Sequence, residues 1–561
     1  MSWQQIAAEK KSRQLDSVPK EWLSSTLPSS ETLTIIDFPQ TSRVLSPLDL
    51  EITESSVATL LSDLASSKYS AVQVTTSFYK RAIIAHQLTN CLTEIFIERA
   101  LSRAKFLDDH LQTTGQVVGA LHGLPISLKD QICIQGIEST IGYVSWIGQF
   151  AEKNAVLVDI LESLGAVPFV KTNVPQTLMW PETYNNIFGR TTNPYNRSLT
   201  SGGSSGGEGA LIALRGSPLG VGSDIGGSIR IPSAFCGVYG FRPSSNRIPY
   251  AGCVNTLEGE DSILSVLGPL SNSLDGIKSF YKGVLSKEPW HQDSLVVRKR
   301  WSEEEYNLID HGNRAEKLCF AIMWDNGLVA PHPPIRRGLE MTKKALLAAG
   351  HQVIDWVPYK QAEIYSTISA IWNAAATEDF ETSAAPSGEP VILSMHPDAL
   401  QEDEDLAFRP SSTGISAFAL WQIQKKKRDL RHEHLKHWEE TARVTGTGRP
   451  VDLIIGPIAP YTAPPHGLNK NGQYTMVWNL LDCPAMVIPV SKVDQAQDVK
   501  QPRTEFHSAD DKENYELYNP ATFENAPISI QLIGRTMEEE AVIAMAEIVD
   551  QALKAIKSEL N

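Results

Sequence analysis

The chain is poor in cysteine, has no long apolar run and is short of positive charge. Six cysteines are scattered through 561 residues, and no two stand at CxxC spacing. That density excludes a disulfide-stapled scaffold, and reduced, mostly buried thiols and a cytoplasmic home are expected. No run of about 18 apolar residues occurs, so no membrane span is expected. The N-terminal MSWQQIAAEKKSRQ lacks the apolar core of a signal peptide. Fifty basic residues face 65 acidic ones, a net charge of −15. That balance disfavours a nucleic-acid or anionic-membrane surface. The one compact basic run, Lys425 to Arg428, reads as a solvated helix face.

What is present fits a globular chain with a large core: 42% hydrophobic and 20% charged residues. Residues 1–50 read as a short helix and then an extended arm rich in Pro and Ser. Val57, Leu60, Leu61 and Leu64 share one helical face, as do Val74, Phe78, Ala82 and Ala85. A third helix is expected around Glu94 to Gln112, and Ile126 and Leu128 mark a short buried strand. Val156 to Leu164 reads as a helix stopped by Gly165, and Ala166 to Val170 as a strand. LCFAIMW, IRRGLEMTKKALLAAG and HQVIDWV repeat the strand–helix–strand alternation. VDLIIGP, CPAMVIPV and ISIQLIGR read as strands, and Met537 to Ile556 as a long helix. This alternation predicts an α/β fold: one large domain with a central mixed β-sheet covered by helices on both faces. Residues 1–50 form its arm and 51–561 its main domain. The polar, proline-bearing segments Thr382 to Thr413 and Asp494 to Asn525 read as surface excursions or lids.

The unusual part is SGGSSGGEGALIALRGSPLGVGSDIGGSIR, residues 201–230. A phosphate cradle would need GxxxxGK[ST], and no such lysine is present. Gly220, Gly222 and Gly226 are spaced GxGxxxG, not the dinucleotide GxGxxG. A flexible linker fits badly, because Ala210 to Leu214 and Leu219 to Val221 are apolar. Gly202 to Gly206 matches GxSxG, which would make Ser204 a nucleophile, but no histidine stands in a suggestive context. His432-Glu433-His434 reads as part of a charged helix rather than a metal site. A third reading explains more residues. A serine after Gly-Gly at a helix start would face converging N–H groups of Ile225, Gly226, Gly227 and Ser228, able to hold an oxyanion. Ser228 would then attack a carbonyl, with a buried, neutral Lys129 in GLPISLKD as the base. A lysine at a strand end is more commonly a solvated charge, and the residues alone leave both readings open.

Residues 201–244 resemble the amidase signature, through GGSSGG followed by GSDIGGSIR. The similarity extends to HGLPISLKDQ, to VKTNVPQTLMWPETYNNIFGRTTNPYN and to YTMVWNLLDCPAMVIPV, with a core signature about 121–244. The chain is most similar to fungal acetamidase-type amidases. The resemblance implies the amidase signature fold and a Ser-Ser-Lys triad: Lys129, Ser204 as a bridging serine held by a cis peptide, and Ser228 as nucleophile. GxSxG is then a decoy. Ile225, Gly226, Gly227 and Ser228 become the oxyanion hole, Asp224 and Arg230 hold the loop, and Ser223 supports the nucleophile. Met179 and Trp180, with Ser204, match a substrate-contact region, whereas Trp478 is better read as core. The implied reaction is hydrolysis of a small aliphatic or aryl amide through an acyl-enzyme. Neither cofactor nor metal is implied. The implied partner is a small-molecule amide, with no nucleic acid and a homodimer as the candidate assembly. An amidotransferase-type subunit and a fatty-acid-amide-type hydrolase are the alternatives.

Overall fold

The structure is a computed structural model that describes residues 1–397 and 414–560. Its strands are β1 (Leu92–Ile95), β2 (Pro125–Lys129), β3 (Val167–Thr172), β4 (Leu219–Asp224), β5 (Tyr239–Arg242) and β6 (Val266–Ser271). They continue with β7 (Cys319–Ile322), β8 (Gln352–Asp355), β9 (Leu453–Gly456), β10 (Ala485–Lys492) and β11 (Pro527–Ile533). All eleven join one sheet in the order β1-β3-β2-β4-β6-β5-β10-β11-β9-β7-β8. β3-β2-β4 and β9-β7-β8 are parallel, and the antiparallel strands between them make the sheet mixed.

Every residue of β2, β3, β4, β6, β7, β9 and β11 is buried. Successive strand residues point to opposite faces, so helices and loops must cover both faces, as the continuous apolar runs require. Helix Gly206–Ala213 packs on β2 and β4, and helix Glu539–Leu560 on β10 and β11. One core cluster runs from Leu60 and Val74 through Ile126, Leu128 and Val221 to Leu532 and Val549.

Most expected elements lie within a few residues of the observed ones, and the departures are informative. The third helix spans Ile97–Thr114. Glu94 belongs instead to β1, because LTEI finds an antiparallel partner in the edge of β3. The N-terminal helix, Trp3–Asp16, opens with a Ser2 capping box and docks on β1. Two short helices, Phe38–Thr41 and Pro47–Glu54, interrupt the arm, and Val18, Ile35 and Leu45 join the main core. Helix Ala376–Ala384 enters the first polar segment and helix Ala509–Leu517 lies in the second. Residues 398–413 of the first lie outside the described residues.

The β2–β4 pairing places the site. Leu128 pairs with Val221 in parallel register. Lys129 therefore leaves β2 beside the GSD that ends β4, at the carboxyl edge where open parallel sheets bind ligands.

Lys10 anchors the arm. It is buried, and its Nζ ion-pairs with Glu94 at 2.5 Å and also with Glu138. Burial pushes the Glu94 carboxyl up to about 7 against the pull of Lys10. Lys10→Ala should lower stability by about 3 kcal/mol, because the buried Glu138 and the half-buried Glu94 lose the cation they share. Denaturant midpoints check this against the exposed control Glu9→Ala, which should change stability by under about 0.5 kcal/mol.

Candidate active site

Lys129 is fully buried at the end of β2. Its Nζ donates to Ser204 Oγ at 2.7 Å and to Ser223 Oγ at 2.7 Å. No salt bridge reaches it among the described residues. Burial pushes its pKa down to about 7, although Asp224, Glu208 and Cys253 pull the other way through space. A substantial neutral fraction at pH 7 follows, and with it a lone pair that can accept a proton. Glu208, in helix Gly206–Ala213, is pushed up to about 7 by burial. Its carboxyl accepts from Ser127 at 2.6 Å and from Thr172 at 2.9 Å.

Ser204 lies in the loop before helix Gly206–Ala213, and the Gly203–Ser204 peptide is cis. Only glycine fits at 203, since a Cβ there would lie 2.5 Å from the Glu182 carbonyl oxygen. The Ser205 N–H donates to the Ser228 carbonyl at 3.2 Å, which ties this loop to the one carrying Ser228. Ser228 stands two residues before helix Arg230–Phe235. Its side chain lines the pocket described below and makes no hydrogen bond to Ser204 or any other described side chain.

Asp224 holds the Ser228 loop in shape. It accepts the N–H groups of Gly227 at 2.8 Å and Ile229 at 3.1 Å. Arg230 meets it with two nitrogens, each at 3.0 Å, and Asn479 adds a third side-chain donor at 2.9 Å. Burial opposes ionisation of Asp224, but Arg230 wins and holds its carboxyl well below the usual range. Arg230 in turn donates to the Thr475 carbonyl at 3.0 Å. Gly227 has φ +137, and a Cβ there would lie 2.5 Å from Thr475 Oγ1. The N–H of Gly227 is thus engaged by Asp224, whereas those of Ile225, Gly226 and Ser228 have no acceptor among the described residues.

A pocket opens over Ser228. Met179 and Trp180 line it, together with Ile225 and Gly226 of the loop. Tyr365 and Trp372 from helix Gln361–Trp372, with Lys470 and Met476, complete the wall. Those four were not singled out from sequence, since they lie more than a hundred residues from the signature in segments with ordinary helix or loop patterns. Trp478 is fully buried in a core cluster and lies outside the pocket lining. His432, Glu433 and His434 lie on helix Ala417–Glu440, with His434 packed against Trp356, Trp438 and Trp478. All six cysteines are free.

This arrangement sets a buried amine bonded to two hydroxyls close behind a cavity lined by Ser228 and by loop residues whose N–H groups have no acceptor among the described residues. Comparison with known proteins gives the class. The amidase family model matches residues 73–543. The chain is 42% identical to an acetamidase of Emericella nidulans over 98% of each chain. An acetamidase of Aspergillus oryzae is 41% identical over 98% of this chain and 99% of its own. Among solved structures, a fatty acid amide hydrolase superposes with a TM-score of 0.89 at 31% identity, covering 98% of this chain and 94% of its own. The chain belongs to the amidase family and is an amide hydrolase. Its similarity to acetamidases extends over nearly the whole length.

Asp224→Asn keeps the shape of the hub but removes the counter-charge of a buried guanidinium, and should cost about 3–5 kcal/mol in denaturant titrations near neutral pH. The depressed carboxyl contributes stability above its unfolded pKa of about 3.9, and that contribution fades as pH falls below it. The wild-type and variant stability curves should therefore converge in acid.

Proposed function

We propose that the chain hydrolyses small carboxylic amides through a Lys129–Ser204–Ser228 triad and an acyl-enzyme. The observation that carries this reading is the buried Lys129 amine, with no salt bridge among the described residues and 2.7 Å from Ser204 Oγ, beside the pocket that holds Ser228. Neutral Nζ takes the Ser204 proton while Ser204 takes the proton of Ser228. The Ser228 oxygen attacks the amide carbon, and the carbonyl electron pair moves onto oxygen. The N–H groups of Ile225, Gly226 and Ser228 receive that oxyanion; Gly227 serves the loop through Asp224. As the C–N bond breaks, the proton returns through Ser204 to the leaving nitrogen, which departs as ammonia or amine. Water then cleaves the ester by the same relay. The Ser204–Ser228 hydrogen bond closes on substrate binding, as catalytic contacts in ligand-free sites commonly do.

Pocket size supports a short acyl group. The cavity volume is about 60 Å³. At about 10–15 Å³ for one water-sized sphere, it holds roughly four to six such units. The likeness to acetamidases supports the same substrate class. A second reading, hydrolysis of long-chain amides, draws on the likeness to fatty acid amide hydrolase and on the apolar lining. Trp372 and Met476 would have to swing aside to admit such a chain.

Ammonia release by the purified chain, without ATP, tests the reading and separates it from an amidotransferase subunit. Ser228→Ala and Lys129→Ala should each lower kcat by at least about a hundredfold with the fold retained by circular dichroism. Normal turnover by either variant ends the triad. Because the base acts when neutral, wild-type kcat/KM should rise with pH through an apparent pKa of about 7. That limb should vanish in Lys129→Ala.

Across a series of straight-chain primary amides, kcat/KM should fall by about tenfold or more beyond the short members, each excluded methylene costing roughly 1 kcal/mol. Trp372→Ala should relax that limit. A wild-type optimum at long chains would favour the second reading.

A further inference from the structure

Lys129 meets a second hydroxyl that the acyl-transfer scheme does not use. Ser223 Oγ accepts from Lys129 Nζ at 2.7 Å and donates to Gln131 Oε1 at 2.5 Å. Gln131 lies two residues past Lys129 and is fully buried. The far end of its amide fixes the orientation. Nε2 donates to the Val254 carbonyl at 3.2 Å, and a carbonyl can only accept. Nε2 also donates to Tyr250 OH at 2.7 Å. The amide oxygen must therefore face Ser223.

A hydroxyl has a single proton to give. Ser223 gives its proton to Gln131, so toward Lys129 it can only accept. A neutral amine carries two hydrogens and one lone pair. Here the amine donates one hydrogen to Ser223 and the other to Ser204, so its lone pair receives nothing from Ser223 and meets the Ser204 proton once the amine turns about its Cε–Nζ bond. Without an acceptor at 131, the Ser223 proton would be free to turn onto the lone pair and occupy the base.

We propose that Gln131 is a positioning residue: by holding the Ser223 proton away from Lys129, it keeps the amine lone pair open to Ser204. The step served is a net transfer of one proton from Ser228 to Lys129, with Ser204 losing one and gaining one. The inference rests on the triad proposed above.

The surrounding charges do not supply this control. Asp224, at the end of β4, is bound by Arg230 and Asn479. Glu208 is bound by Ser127 and Thr172. Cys253 and these two carboxyls act on the amine through space. Tyr250 reaches the group only through the Gln131 amide. Among the described residues, Gln131 alone accepts the Ser223 proton.

The test uses the full chain, ammonia release from acetamide, and the rate at which a fluorophosphonate probe labels Ser228. Gln131→Leu should lower kcat and the labelling rate by about tenfold or more, with KM changed by under about twofold. Adding Ser223→Ala removes the misdirected proton, and the double variant should run at least about threefold faster than Gln131→Leu alone. Gln131→Glu keeps an acceptor, so its high-pH plateau should stay within about threefold of wild type. Its added negative charge should move the acid limb to higher pH. Should Gln131→Leu fail to fold, the Gln131→Glu profile decides. The inference is overturned if Gln131→Leu stays within twofold of wild type, if the double variant is no faster than Gln131→Leu, or if the Gln131→Glu plateau collapses. A wild-type chain that neither releases ammonia nor labels overturns the triad, and this inference with it. An active wild type with an indifferent Gln131→Leu overturns this inference alone.

Discussion

A buried amine with hydroxyls, not carboxylates, for neighbours sets the terms for the rest of the molecule. Taking Lys129 from 10.5 to about 7 corresponds to a cost on the order of 5 kcal/mol. The cost is complete below about pH 7, where the amine is protonated both folded and unfolded, and fades as pH rises toward the unfolded value. It is comparable with the whole net stability of a typical domain. An eleven-stranded sheet with seven wholly buried strands, β2 and β4 among them, is the kind of scaffold that can carry it. Its burial also keeps water from competing for the lone pair.

Around that amine, polar groups are arranged so that each has one task. Asp224 is saturated by Arg230, Asn479 and loop N–H groups, and so shapes the Ser228 turn without contacting Nζ. Glu208 is saturated by hydroxyls from β2 and β3. Both carboxyls bias the amine through space while neither neutralises it by contact. A direct ion pair would favour the charged form of the amine.

The architecture was legible in the sequence because its signals are local. Buried strands such as PISLK and CFAI read as short apolar runs, and the helices between them carry a helical stripe. Glu94 shows where local reading fails: its periodicity continues the following helix, but a neighbouring strand offers a ladder, and pairing wins. At the site, the glycine-serine run marks the loop residues, and the family resemblance separates Ser228 from the GxSxG serine. The pocket walls Tyr365, Trp372 and Met476 were not legible, since each reaches the cavity from an element whose own pattern is an ordinary amphipathic or buried helix. Gln131 carries no motif; its meaning lies entirely in which atoms its two ends face.

The Asp224–Arg230 turn draws on residues far along the chain. Arg230 reaches Thr475, Asn479 and Gln531, up to 301 positions away. A polypeptide still emerging from the ribosome has its lysine and both serines long before it has the carbonyl and amides that lock their loop. Partial translation products and C-terminally clipped fragments therefore hold the Asp224–Arg230 pair without the distant groups that frame it. The late closure of such distant contacts makes slow, chaperone-exposed maturation the natural expectation for this chain.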